Sequence, residues 1–397
     1  MPAIDTTTTV LDDHYDVVVV GARAAGAATA MQLARAGVRV AAIDKATYGS
    51  DTLSTHSIAL AGVLLLSRWG VLDTIRQAGT PVGDRVVFHY GDDTVGIDIP
   101  TRGDVDGLYA PRRTLLDRAL VDAAIEAGAT VRHGTAVRGL VKNRGRVTGV
   151  EIDDHGTPRT ITAGFVVGAD GMNSRVARTV GATTLREERA GSSVIYAYFS
   201  GVADPKVVEN DIRPGQAAGI IPTNNNEACV WIAGPGADFR SQVADGVETA
   251  FDRAVDRSPV LRQRLAGATA ESRFRSFPGQ PGFLRQAWGS GWALVGDSAY
   301  FKDPVSAHGI TDALIGAELL TDALVEALNG THDAAALARY QQQRDELAAP
   351  MIPAVATIAS YDWDPAGVAG AYRDMSRAMR HEWDVLEARF AATALAA

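Results

Sequence analysis

The chain is poor in cysteine and in lysine. One cysteine, Cys229, occurs in 397 residues. A single cysteine excludes an internal disulfide and a cysteine metal cluster, and it fits a reducing compartment. Cys229 falls in an apolar, strand-like run and reads as a small core residue rather than a nucleophile. Only four lysines are present, so basic charge is mostly arginine. Long hydrophobic runs are also missing: Ile58–Leu66 is the longest and is too short to cross a bilayer. The first residues lack a charged region followed by an apolar one, so no signal peptide is read there and a cytoplasmic location is expected. Positive charge is in deficit, and the net −9 argues against non-specific binding to nucleic acid or anionic membrane. What remains is the composition of a soluble globular protein, 46% hydrophobic and 21% charged, long enough for two domains.

The stretch Asp16–Asp44 organises the chain. Val17–Val20 is a short apolar run ending on Gly21, as a buried parallel strand does. The turn Gly21-Ala22-Arg23-Ala24-Ala25-Gly26 leads into an alanine-rich helix that stops at Gly37. Val38–Ile43 reads as a second buried strand; it ends on Asp44, with Lys45 next. Strand, glycine turn, helix and acid-terminated strand make a dinucleotide-binding βαβ unit. Gly21 permits the tight turn, and Gly26 lets the helix approach the strand. Free amides at the helix start face a pyrophosphate, and Asp44 accepts hydrogen bonds from a ribose hydroxyl. The usual middle glycine is Arg23, which offers a guanidinium to phosphate instead. Any α/β protein with a glycine turn is the alternative reading.

Met1–Asp13, with four consecutive threonines, reads as a loose tail. His56–Ile75 has helical spacing. Arg85–Tyr90 and Thr94–Ile99 flank a turn and predict a hairpin. Thr114–Ala127 predicts a helix, and strands are expected at Val131–Val141, Arg146–Ile152, Arg159–Thr162 and Phe165–Gly168. The middle changes texture: strand-like runs at Ser193–Val202, Ala217–Pro222 and Ala228–Ala233 are separated by Pro, Gly and Asn turns. Phe239–Val255 reads as an amphipathic helix and Ser272–Phe277 as a further strand. Trp292–Val295 returns as a buried strand before a long helix, Gly309–Leu328. The rest is largely helical, with breaks expected at Pro350, Pro353 and Pro365. The organisation expected is an α/β, Rossmann-like nucleotide domain (15–84, 100–190 and 283–332) after a tail (1–14). It carries an inserted antiparallel-sheet substrate domain (85–99 and 191–282) and a C-terminal helical segment (333–397).

Three separated motifs point one way. They are the βαβ unit, then Gly168-Ala169-Asp170-Gly171 with Ser174-Arg175, then Ala293-Leu294-Val295-Gly296-Asp297-Ser298-Ala299 followed by Pro304 and His308-Gly309. Together they resemble the FAD-dependent aromatic hydroxylases, the single-component flavoprotein monooxygenases, whose superfamily includes geranylgeranyl reductases and flavin-dependent halogenases. The resemblance covers about residues 15–345. It implies FAD as cofactor and NAD(P)H as electron donor. Asp297 is implied at the ribityl chain, Gly296 beside it as a cofactor-binding residue, and Gly309 and Ile310 at the flavin pyrimidine edge. There the amides and positive dipole end of the helix meet the negative charge of reduced flavin. It also implies Pro304 beside the flavin where a peroxide forms, Asp170 in a turn serving flavin and nicotinamide, and Arg113 as the arginine that starts a helix and contacts cofactor.

Alternatives stand beside these roles. For Asp170 the alternative is the closure of a tight turn, for Asp297 a cap after its strand, and for His308 a solvated loop histidine rather than a catalytic one. Thr311 stands where the family often has asparagine. Ser54-Thr55-His56-Ser57 replaces an arginine-containing stretch that the resemblance puts near the isoalloxazine. His56 is therefore the candidate acid or base, with an ordinary pKa suited to neutral pH, or else a histidine satisfied at a helix start. His89, His133, His155 and His332 read as surface residues. No metal site is expected.

The expected activity is monooxygenation: O2 reacts through a flavin C4a-hydroperoxide with an aromatic or polyketide-like small molecule, in a monomer or homodimer. Alkene reduction of the geranylgeranyl-reductase kind is the second enzyme reading, although no cysteine-containing flavin loop is visible. Halogenation is disfavoured because no Trp-x-Trp-x-Ile-Pro stretch occurs. A non-catalytic flavin-binding protein is the reading from another class. Tyr196, Tyr198, Phe199, Trp231, Tyr361, Trp363, Tyr372 and Trp383 read as core packing before cavity lining, and Arg273 and Arg275 as a solvated strand face.

Overall fold

A computed structural model describes residues 6–202 and 206–396. One sheet sets Trp292–Leu294, Thr157–Gly168, His14–Val20, Val40–Ile43 and Thr130–Arg132 side by side, all parallel. Val17, Val18 and Val19 are wholly buried, which explains an unbroken apolar run instead of an alternating one. Val20 lies beside Ile43 and Gly168, and Gly168 beside Leu294. The carboxyl ends of four strands therefore open on one edge, where α/β sheets bind ligands. The helix Ala24–Arg35 covers this sheet together with Arg113–Glu126 and Gly309–Leu328. Its small residues allow close packing. A side chain on Gly26 would place its Cβ 1.9 Å from the Gly21 carbonyl oxygen.

The second sheet runs Thr269–Ala270, Ser192–Ser200, Glu227–Pro235, Gln216–Pro222, Val207–Arg213, Arg85–Tyr90, Asp93–Asp98. It is not wholly antiparallel, as the sequence reading had it: Val207–Arg213 runs parallel to Arg85–Tyr90. That hairpin arrives from far earlier in the chain, so no tight turn dictates its direction. The sheet is buried on both faces. Val194, Tyr196 and Tyr198 point toward the helices Met351–Ser360 and Pro365–Ala396, while Ile195, Ala197 and Phe199 pack on Phe251 and Leu261. Cys229 sits fully buried in the first of these layers.

Several local expectations are corrected. The described part of the N-terminal stretch, 6–13, is not loose: Leu11 is buried, and the Thr6 and Thr9 carbonyls accept hydrogen bonds from the His133 amide and the Arg132 guanidinium. Met1–Asp5 lie outside the described residues. The expected helix His56–Ile75 begins only at Leu60 and is split into Leu60–Arg68 and Leu72–Gln77 by Gly70, which turns at φ +70°. The strands expected at 159–162 and 165–168 are one strand, Thr157–Gly168. Gly164 there is a close approach to the Asp16 carbonyl rather than a break. Gly246 likewise divides the Phe239–Val255 helix. Pro353 does not break the Met351–Ser360 helix, because it sits in the first turn, where its missing N–H costs nothing. His133 is buried at 5% exposure, edge-on to Tyr48, rather than at the surface.

Candidate active site

A cavity of about 930 Å³ opens along the carboxyl edge of the parallel sheet. That lies near the top of the roughly 300–1,000 Å³ range of small-molecule and cofactor sites. Gly21, Arg23, Ala25, Asp44, Lys45, Arg113, Asp170, Asp297, Pro304, His308, Gly309 and Ile310 all line it, as does His56. Gly26 and Gly296 lie behind this wall and give it its shape. A Cβ on Gly296, at φ +61°, would stand 2.8 Å from the Ala25 side chain.

The dinucleotide end is built from backbone. Asp44 Oδ2 accepts from the Ala22 amide and Oδ1 from the Ala46 amide, both at 2.7 Å, so the acid braces the glycine turn. Arg23 N-caps the Ala24–Arg35 helix in extended conformation, and its guanidinium is held by the Ser50 carbonyl and by Asp117 at 3.1 Å. Arg113 grips the same Asp117 bidentately at 2.9 and 3.0 Å. Two arginines sharing one buried carboxylate leave a net positive charge beside the turn, which suits a phosphate. Asp117 was missed in the sequence; nothing there marks a helical aspartate as the shared partner. The Asp170 carboxylate is spent on protein, accepting from Ser174 Oγ and from the Arg175 and Val176 amides. It holds its turn in shape and is not free to bind through its side chain.

The middle of the cavity belongs to Asp297 and Gly309. Asp297 follows the Trp292–Leu294 strand, and among the described residues its carboxylate has no hydrogen-bond partner. Burial, helped by Asp312 and opposed by Arg113, pushes its pKa up to about 7. Gly309 begins a helix of 20 residues and is exposed to the cavity, while Ile310 and Thr311 behind it are buried. An unpartnered carboxylate, an open helix N-terminus and a turn with no room for Cβ atoms fit the hydroxyls, pyrimidine edge and pyrophosphate of FAD. Thr311 turns away; its hydroxyl accepts from the Ala59 amide at 3.0 Å.

At the far end stand Ser54, Thr55, His56, Tyr196, Phe277 and Phe301. His56 does not start a helix. It sits at φ +66°, is 1% exposed, and its Nε2 hydrogen-bonds Tyr198 Oη. Among the described residues its Nδ1 has no partner. Burial, reinforced by Arg113, Arg112 and Arg275, drives its pKa well below 6.5. The expected ordinary pKa is thereby corrected: the ring is neutral at pH 7. Arg112 stacks on Tyr198 with its guanidinium 3.3 Å from the ring centroid, and Arg275 pairs with Asp51 at 2.8 Å instead of facing solvent. His308 is also corrected. Its ring is fully buried, and Nε2 lies 2.7 Å from Glu382 of the C-terminal helix, a partner with no signal in the sequence.

The FAD binding domain family matches residues 14–354. The chain belongs to that family. This flavoprotein is an FAD-dependent oxidoreductase. It is 28% identical over 346 residues to digeranylgeranylglycerophospholipid reductase 1 of Methanopyrus kandleri, covering 84% of this chain and 86% of the relative. Its fold is that of PqsL, a probable FAD-dependent monooxygenase from Pseudomonas aeruginosa (TM-score 0.77, 20% identity, 91% of this chain and 100% of that one). The flavin-dependent brominase Bmp2 is comparably similar in fold (TM-score 0.76, 19% identity, 92% and 99%). No helix among the described residues of the flavoprotein is long and apolar enough to cross a membrane.

Proposed function

We propose that this flavoprotein is a cytoplasmic, NAD(P)H-dependent monooxygenase acting on a compact aromatic or polyketide-like molecule, with Asp297, Gly309 and the Gly21–Gly26 turn holding FAD. The observation that carries the reading is the aromatic lining at the far end of the cavity. Tyr196, Phe277 and Phe301 bound it. Behind Tyr196 the sheet face is filled by Phe88, Tyr90, Tyr361 and Tyr372 and by the C-terminal helices. With FAD along the Gly21–Gly26 turn and Asp297, this aromatic end is left for substrate, and its rings suit stacking on a planar molecule. On this reading residues 85–99 and 191–282 supply the substrate wall, and 333–397 closes it.

Bound FAD would supply electron transfer from nicotinamide and activation of oxygen. The protein's own part is orientation and exclusion of water, through the aromatic wall and Pro304. Neutral His56, anchored at Nε2 by Tyr198, offers Nδ1 to a substrate hydroxyl proton, and an unpartnered buried nitrogen beside a cavity calls for such a role. Burial raises the pKa of Tyr196 and Tyr198. None of these groups is a ready acid, which disfavours alkene saturation, where a proton must be delivered to carbon. That second reading is favoured by the reductase relative, similar across most of both chains.

The test is incubation with NADPH and isotopic O2 across phenols, polyketides and isoprenoid lipids. Label in a phenol or polyketide product is expected; alkene saturation without label would transfer the assignment to the reductase. His56→Ala is expected to keep its flavin spectrum and lose about 100-fold in kcat, the lower range for a lost acid–base group. Unchanged kcat would return His56 to a structural role. Asp297 makes cofactor binding depend on pH. Ribityl hydroxyls bond the ionised carboxylate, whereas the free protein holds it protonated below about 7. FAD affinity is thus expected to be level above pH 7 and to fall up to about tenfold per unit below it, read by fluorescence titration of apoprotein.

A further inference from the structure

We propose that Arg112 is a positioning residue for His56: its guanidinium clamps Tyr198, the anchor of the His56 ring, and keeps that ring ready to accept a proton. The inference rests on the reading of His56 as the group that takes a substrate proton. Arg112 and Arg113 are neighbours with different duties. Arg113 lines the cavity and grips Asp117. Arg112 turns toward the second sheet, where its guanidinium carbon lies 3.3 Å from the centre of the Tyr198 ring. Its Nη1 donates to Glu227 Oε2 at 2.7 Å. Its Nε is buried with no hydrogen-bond partner among the described residues. The ring face is the acceptor left to that donor, and a cation over it is attracted to the electron-rich face.

The clamp is tied down at both ends. The Arg112 amide donates to Asn224 Oδ1 at 3.0 Å, and Thr223 Oγ1 donates to the Ala110 carbonyl at 2.6 Å. The backbone on either side of Pro111 is thus fixed to the turn that precedes the strand Glu227–Pro235. Tyr198 lies in the strand Ser192–Ser200, opposite Cys229 of that neighbour. Its Oη meets His56 Nε2, and the two rings are within 9° of parallel. His56 belongs to no helix or strand, so its ring takes its place from Tyr198. Arg112 acts by charge as well. The groups facing His56 are Tyr198, Arg112 with Glu227, Arg113 with Asp117, and Arg275 with Asp51. Burial opposes protonation of the ring, and all three guanidiniums push the same way. Guanidinium stays charged throughout the range in which histidine titrates, so the push does not fade with pH. Removing Arg112 takes away a positive charge and leaves Glu227 without it. Both changes favour a protonated ring, which fixes the sign of the effect.

The test is the titration of His56 in the FAD-loaded full chain, followed by NMR of carbon-13-labelled histidine, with its signal assigned by its absence from His56→Ala. In the wild type the midpoint is expected well below 6.5. Arg112→Gln is expected to move it upward, toward the ordinary value of about 6.5. Arg112→Lys, which keeps the charge, is expected to leave it lower than Arg112→Gln does. Arg112→Met removes the same charge and serves, with the same upward shift, if Arg112→Gln does not fold. A lowered Tm with an unmoved midpoint in the folded variant would overturn the proposal, as would a wild-type midpoint already at the ordinary value. An unchanged kcat in His56→Ala would instead overturn the reading of His56 as the base and leave this titration standing. The measurement needs no substrate.

Discussion

Replacing Gly26 by alanine is expected to strip the protein of FAD and to lower its Tm. The new Cβ would land 1.9 Å from the Gly21 carbonyl oxygen, 2.8 Å from its carbonyl carbon and 3.1 Å from Ala169 Cβ. A flexible side chain swings out of such a contact, but a backbone carbonyl in a braced turn does not. The Gly21 amide is already bonded to the Ile43 carbonyl and the neighbouring Ala22 amide to Asp44, so the turn has no slack. The helix must therefore lift from the sheet, at the upper end of the roughly 1–3 kcal/mol typical of overpacking. Lifting it also moves the amides that would meet the pyrophosphate. Thermal melting and the cofactor content of the purified variant check this. A variant that stays yellow with an unchanged Tm would show that the turn can relax where the geometry says it cannot.

Asp297→Asn is expected to act in the opposite sense on the two quantities. Burial is the largest cause of the lift of this carboxyl to about 7. A group whose folded pKa exceeds its unfolded one of about 3.9 costs stability as pH rises above that value, because the unfolded chain then ionises more readily. At pH 8 the asparagine variant should therefore melt higher than the wild-type apoprotein. FAD binding should weaken. A hydrogen bond to a charged group contributes roughly 1.5–3 kcal/mol, so a loss of about 10- to 100-fold in Kd is expected. The pH slope of FAD affinity should vanish as well. Loss of cofactor with gain of apoprotein stability separates a ligand-facing acid from a structural one; a variant weaker in both would mark Asp297 as a cap.

The parts of the architecture that rest on short-range patterns were legible. The strand Val17–Val20, the turn to Gly26 and the helix Gly309–Leu328 fall where apolar runs and glycines put them. So do Ser192–Ser200, Gln216–Pro222 and Glu227–Pro235 of the second sheet, whose period-two pattern survives burial on both faces, whereas Val207–Arg213 had not been expected. What was not legible depends on partners brought from elsewhere. The neutrality of His56 comes from its burial and from Arg113, Arg112 and Arg275, residues spread over much of the chain. The commitment of Asp170 to Ser174 could be read as a turn, but only the geometry shows both oxygens spent. Glu382 had no signal at all, being one acid in a charged helix. The packing of 6–13 was hidden for the same reason: the arginine and amide that bind those carbonyls lie more than a hundred residues later.

The hairpin Arg85–Asp98 carries a consequence for how this protein is made. Its outer strand is wholly exposed, with Val95 46% and Ile97 43% open to solvent, and its inner strand pairs on its other side with Val207–Arg213. During synthesis the hairpin must wait for more than a hundred further residues before its free side is covered. Non-local pairing of this sort folds slowly and leaves sticky strands uncovered meanwhile. Yield in a foreign host should accordingly respond to growth temperature and to chaperones more than to codon choice.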